Sequence, residues 1–215
     1  PYDCPFFNYC DEATLKAEFP VGWLPRIQKK ALKEKLAEPG VIDMRQVPDN
    51  LLNERQLRVK SCTITNQTYF DQDGAKAALS KHKLPAYFLD FETVNFAVPR
   101  WAGVRPYQQI PFQFSLHVLS VSGELSHQSF LDLTGNDPCE PFAKALVSAC
   151  GKNGPVFVYN AGFERSRVNE LADRFASMAK ELSAISDRLV DLHPIAQDHF
   201  YAPSQQGSWS IKKVL

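Results

Sequence analysis

From Pro85 onward, short apolar runs alternate with turn residues, and this texture limits the fold more than any other feature of the chain. Ala86-Tyr87-Phe88-Leu89-Asp90-Phe91-Glu92 reads as a buried strand. Phe112 to Val121 reads as a second, and Leu125 to Leu133 as a third after the turn Ser122-Gly123-Glu124. Gly135-Asn136-Asp137-Pro138 opens a helix to about Cys150, with Pro141 in its first turn. Gly154-Pro155 introduces a fourth strand, Val156-Phe157-Val158-Tyr159. A long helix follows from Ala161 to about Leu182, and Leu189-Val190-Asp191-Leu192 looks like a fifth strand. The order β-β-β-α-β-α-β predicts an α/β fold. A three-strand antiparallel meander feeds βαβ units, giving a mixed sheet with helices on its faces.

The chain before Pro85 differs. Residues 13–60 look helical and polar, and Arg26, Lys29, Lys30, Lys33 and Lys35 crowd ten positions until Pro39-Gly40 stops the run. Such a run is either a phosphate-backbone contact or a solvated face. Residues 61–83 read as a connector. The expected division is therefore 1–83, a small helical and linker segment, and 84–215, the α/β domain. The 215 residues suffice for one α/β core with a small satellite.

The 24 basic and 24 acidic residues cancel, which excludes a polybasic or acidic tail protein. Residues 1–83 carry 13 basic and 11 acidic side chains, and residues 84–215 carry 11 and 13. The acidic excess of the second part suits a domain that holds cations. No apolar run approaches the roughly 18 residues of a membrane span, so no membrane partner is expected. Five cysteines, at 4, 10, 62, 139 and 150, make a poor disulfide framework and predict a reducing, cytoplasmic setting. Cys4 and Cys10 are either half of a four-ligand metal or iron–sulfur site or free thiols. The chain starts at Pro1 and stops within Ser210–Leu215, which reads as an unfinished helix, so a piece of a longer protein is expected.

Three sets of carboxylates draw attention. In a strand, residues two apart share a face, so Asp90 and Glu92 lie with Phe88, opposite Tyr87, Leu89 and Phe91. Unpaired burial of two acids is costly, and a cation between them is a natural remedy; the other reading is a strand end running into solvent. On the following helix, positions 164, 168, 171, 175 and 178 step by helical spacing through Glu164, Val168, Leu171, Phe175 and Met178. Glu164 thus opens a core-facing stripe, just past a strand end where sites form in α/β sheets. Asp191 is either a further ligand or a helix cap. Asn160 either orients substrate or caps the helix at Glu164. Arg165 and Arg167 read as phosphate contacts or as solvated side chains. Hard oxygen ligands without matching Cys or His suit Mg²⁺ or Mn²⁺. Two such ions about 4 Å apart support phosphodiester hydrolysis.

Phe88-Leu89-Asp90-Phe91-Glu92-Thr93 resembles the first motif, Asp-x-Glu-Thr, of the DEDD (proofreading-type) 3′–5′ exonucleases. Tyr159-Asn160-Ala161-Gly162-Phe163-Glu164 resembles their second, in which Asn-Ala-x-Phe precedes an acid. Val190-Asp191-Leu192 is similar to the strand after it, and Ser208-Trp209-Ser210-Ile211 to the start of the next helix. The resemblance covers about residues 84 to 215. It implies a ribonuclease H-like fold, two Mg²⁺ or Mn²⁺ ions held by Asp90, Glu92 and Glu164, with Asp191 as a further catalytic acid, and a DNA or RNA end as partner. Thr93, Asn160, Trp101 and Tyr107 would face substrate. The insertion Asn95 to Gln109 carries Trp101 and Tyr107, which either stack on bases or pack as a surface loop. Glu164 stands where the family usually has Asp. The third motif is expected beyond Leu215; His193 and His199 come too early in the order of elements to supply it. Cys4-Pro5-Phe6 with Cys10 resembles the cysteine-rich end of RecB-like nuclease domains, and the whole is similar to a bacterial family joining such a domain to an exonuclease-like one. That implies an iron–sulfur cluster in the longer protein only.

The expected activity is a metal-dependent 3′–5′ exonuclease. The alternatives are a weak or inactive nucleic-acid-binding scaffold on the same fold, and a hydrolase of small phosphate esters.

Overall fold

The computed structural model describes residues 5, 6, 9 and 16–215; Cys4 and Cys10 lie outside them. In chain order the helices and strands are α1 (Lys30–Leu36), α2 (Glu54–Thr65), β1 (Tyr69–Phe70), α3 (Gln72–Ser80), β2 (Ala86–Val94), β3 (Ile110–Leu119) and β4 (Leu125–Leu131). There follow α4 (Cys139–Ala149), β5 (Val156–Val158), α5 (Ala161–Arg174), α6 (Ala179–Asp187), β6 (Leu189–Asp191), α7 (Leu192–His199), β7 (Phe200–Tyr201) and α8 (Ile211–Val214). Two compact units result: Pro1–Ala75 with Ala196–Leu215, and Lys76–Ile195.

The second unit has the expected mixed architecture. Its five strands lie in the order β4-β3-β2-β5-β6. β2, β3 and β4 form the antiparallel meander, and β5 and β6 join in parallel. Alternation along β2 buries Tyr87, Leu89 and Phe91 and leaves Phe88, Asp90 and Glu92 exposed. The buried set meets α4, whose Cys139, Phe142, Ala143 and Leu146 follow helical spacing. Phe142 stands edge-on to Phe91, Phe114 and Phe130 at 5.5–5.8 Å between ring centroids. Such edge-to-face pairs add about 0.5–1.5 kcal/mol each beyond the area they bury.

The predicted long helix from Ala161 to Leu182 is two helices. β5 and β6 are parallel neighbours of three residues each. A single helix of the predicted length would run about 33 Å, against about 10 Å of strand, and would overshoot the return to β6. The chain leaves α5 at Phe175 (φ −121°, ψ 82°) and turns through Ala176–Met178 into α6. Phe175 and Met178 still pack on the core, with Leu182 and Ile185 of α6 continuing it.

The first unit corrects two expectations. Residues 61–83 are no mere connector: they hold the end of α2, β1 and α3. The division at 83/84 also shifts, because Ala196–Leu215 groups with the N-terminal residues. The physical reason is apolar. Tyr201 and Trp209 are buried with Leu24, Leu32, Met44, Val47 and Val59, β7 pairs with β1, and Thr63 shares a 2.9 Å hydrogen bond with the Tyr201 hydroxyl.

The entry to β5 is a tight fit. Gly154 sits at φ +90°, and a Cβ there would lie 1.9 Å from the Pro85 carbonyl oxygen. Gly154→Ala is expected to cost about 3 kcal/mol. Gly22→Ala, where nothing lies within 4 Å of the added atom, is expected to leave stability nearly unchanged. Urea midpoints of the two variants check this.

Candidate active site at the strand ends

The site is built around the step from β5 into α5. Asn160 sits in the left-handed region (φ 77°, ψ 61°) and makes no side-chain cap, so its capping reading is corrected. Asp191, at the end of the neighbouring β6, takes that part. Its Oδ1 accepts from the Asn160 N–H at 2.9 Å and its Oδ2 from the Ala161 N–H at 3.1 Å. Oδ1 also accepts from the His193 N–H at 2.9 Å, at the start of α7. One carboxylate thus satisfies donors at the openings of two helices.

Past this clamp, Glu164 opens the buried face that Val168, Leu171 and Ala172 continue along α5. Glu164 is 4% exposed, and its Oε2 is buried without a hydrogen-bond partner. Burial pushes its carboxyl up to about 7, against the pull of its own backbone N–H; the charges of Asp90 and Asp191 push the same way. Glu92 does not figure in that shift. Asp90 and Glu92 lie on the exposed face of β2, so the strand-in-solvent reading holds for their burial. The costly buried acid is Glu164.

The substrate-facing expectations divide. Thr93 follows a register shift in the β2–β3 pairing and donates its hydroxyl to Gln109 Oε1 at 2.6 Å. Trp101 packs on the core, edge-on to Phe96, and donates its indole N–H to the Gly135 carbonyl at 3.1 Å, which is the packed-loop reading. Tyr107 is the opposite: 68% exposed, at φ +57°, its N–H donating to the Phe96 carbonyl. With Arg105, Gln108, Arg167 and Glu170 it lines a cleft of about 280 Å³. Arg165 and Arg167 are not solvated side chains. Arg165 donates to the Ser186 carbonyl at 2.6 Å, and Arg167 pairs with Glu170 at 2.7 Å and lies over the Phe163 ring.

Sequence reasoning passed over Tyr159 as a working group. Burial and the charge of Asp191 raise its phenol, and its ring meets His193 edge-on at 5.2 Å. Its place between a buried strand and Asn160 was the available signal.

The donor chemistry fits a hard divalent cation. Glu164 Oε2 is an orphaned buried oxygen, and its charged neighbours are carboxylates. Among the described residues, no three of His, Cys, Asp and Glu stand together closely enough to hold a metal ion as they are. The match is one of ligand type, centred on Glu164 and Asp90.

The fold defines an α/β domain with a mixed five-stranded sheet, and Asp90, Glu164 and Asp191 are its candidate site residues. The chain belongs to the family described as Domain of unknown function (DUF2779), which matches residues 87–210. No curated protein and no solved structure matches it. Among the described residues no helix is long and apolar enough to cross a membrane.

Two stability experiments probe the site. Between about 4.5, its ordinary value, and about 7, Glu164 is protonated in the folded chain and ionised in the unfolded one. The folded state binds the extra proton there, so stability falls as pH rises through that window and stays low above it. The size is on the order of 3 kcal/mol. Glu164→Gln is expected to flatten this dependence and to be the more stable protein at pH about 8, read from urea midpoints across pH. Asp191→Ala is expected to cost about 2 kcal/mol, by stranding three backbone donors.

Proposed function

We propose that the chain is a divalent-metal-dependent phosphodiesterase domain, acting as a 3′–5′ exonuclease on DNA or RNA. One observation carries the reading: a buried carboxyl, Glu164, orphaned at one oxygen and raised to about 7 in the field of Asp90 and Asp191, at the carboxyl ends of the strands. A meander joined to parallel strands, with Asp90 on its central strand, is the arrangement the exonuclease resemblance implies, and it supports a ribonuclease H-like fold.

Asp90 and Glu164 would hold Mg²⁺ or Mn²⁺, with Glu92 two residues on along the same strand face as the next available acid. When bound, the ion supplies Lewis-acid stabilisation of the charge that builds on a phosphodiester during hydrolysis. The chain's own contribution is positional. Asp191 spends its acceptors on backbone donors and acts as a clamp that aims α5, leaving Glu164 to face the ion. Glu164 carries its proton below about pH 7 and must release it to become a ligand. Cation affinity therefore rises with pH through about 7.

The scaffold alternative draws on the lack of a ready three-ligand group among the described residues. One assay separates the two. With Mn²⁺ at pH about 8, wild type is expected to trim a labelled oligonucleotide, and Asp90→Ala to fall to background. Mn²⁺ is also expected to raise the melting temperature of wild type but not of Glu164→Gln. Oligonucleotide binding without trimming or metal-dependent stabilisation would favour the scaffold. Equal turnover of a chromogenic diester, with no oligonucleotide affinity, would favour a small-ester hydrolase.

A further inference from the structure

The N-terminal unit contains a cleft of about 800 Å³, lined by Arg26, Lys29, Arg55, Arg58 and Tyr69 among others. Its acids are already matched. Asp198 pairs with Arg55 at 2.8 Å, Glu54 with Arg58 at 3.6 Å, and Asp71 with His199 at 2.9 Å. Among the described residues no carboxylate pairs with Arg26 or Lys29, and the Lys29 ammonium, which donates to the Asn50 carbonyl at 3.0 Å, keeps its charge uncompensated. Arg58 lies 3.9 Å from the centroid of the Tyr69 ring, making a flat cationic and aromatic floor.

Arg26 is also held in an unfavourable backbone. Its φ is +46°, in the left-handed region that glycine occupies freely. The side chain of Gln56, 3% exposed, donates to the Pro25 carbonyl at 2.9 Å and to the Arg26 carbonyl at 3.5 Å. A buried amide therefore secures a turn that glycine would adopt more easily, yet the position presents an exposed guanidinium to the cleft. Strain retained in this way points to a use for the side chain. The cationic line continues outside the cleft: Lys33, one helical turn beyond Lys29, is exposed and likewise has no carboxylate partner among the described residues. A cleft roomy enough for a nucleotide, with unpaired cations running on past it, suits a polymer of phosphates better than a single small anion.

We propose that this cleft binds the phosphodiester backbone of a nucleic acid through Arg26 and Lys29. The inference goes beyond the hydrolytic reading and does not depend on the carboxylates.

The test uses the whole chain in EDTA and a fluorescein-labelled oligonucleotide roughly twenty nucleotides long. Affinity is measured by anisotropy between about 50 and 200 mM salt. Arg26→Gly combined with Lys29→Ala is expected to weaken binding about tenfold or more and to reduce the salt slope by about 2. Arg26→Gly alone is expected to weaken binding while leaving the melting temperature unchanged or higher, because glycine relieves the backbone. That pairing separates lost contact from lost fold. Unchanged affinity and slope in the double variant would overturn the proposal. So would abolition of binding by Asp90→Asn, which would place the nucleic acid at the carboxylates instead. Displacement of the oligonucleotide by micromolar pyrophosphate would overturn it in favour of a small phosphorylated ligand. An oligonucleotide that binds through Arg26 and Lys29 but is never cut in Mn²⁺ would uphold it while refuting the hydrolytic reading.

Discussion

The Asp191 carboxylate is the constraint on which the site depends. It accepts backbone hydrogen bonds from Asn160, Ala161 and His193, and so ties the end of β6 to the beginnings of α5 and α7. Charge-assisted bonds of this kind are about twice as strong as neutral ones. They hold Asn160 in a left-handed conformation that an unsupported chain would abandon at little cost. Release of that clamp would loosen the junction between β5 and α5 that stands directly before Glu164.

The carboxylates of the candidate site live in different environments. Asp90 is exposed on the central strand, and Asp191 is saturated with donors. Glu164 is buried with one oxygen unsatisfied. Desolvation acts on Glu164 above all, so it is the acid that stays protonated toward neutral pH. A cation that met Glu164 and Asp90 together would relieve both the desolvation and the repulsion. The N-terminal unit shows the inverse, with each acid of its cleft matched and two cations, Arg26 and Lys29, without a carboxylate partner among the described residues.

Much of the second unit was legible because strand and helix periods differ. The alternation Tyr87, Leu89, Phe91 against Phe88, Asp90, Glu92 marked the two faces of β2, and the spacing from Glu164 to Leu171 marked the inner side of α5. Periodicity could not see the break at Phe175, since Phe175 and Met178 remain on the core after the helix ends. The local cap from Asp191 to His193 lay within reach of the sequence, but its hold on the start of α5 did not, because those donors lie 30 and 31 residues away in the chain. The membership of Ala196–Leu215 in the first unit was hidden for a similar reason: Tyr201 and Trp209 bury against residues more than a hundred positions earlier.

Local pattern by itself determined the strands, their faces and the inward placement of Glu164, since these follow from backbone geometry and the exclusion of apolar side chains from water. Only tertiary structure decided which acid is desolvated, which is consumed by backbone donors, and which cations remain unmatched. Those properties belong to distances between segments remote in sequence, and electrostatic and desolvation energies depend on such distances rather than on order along the chain.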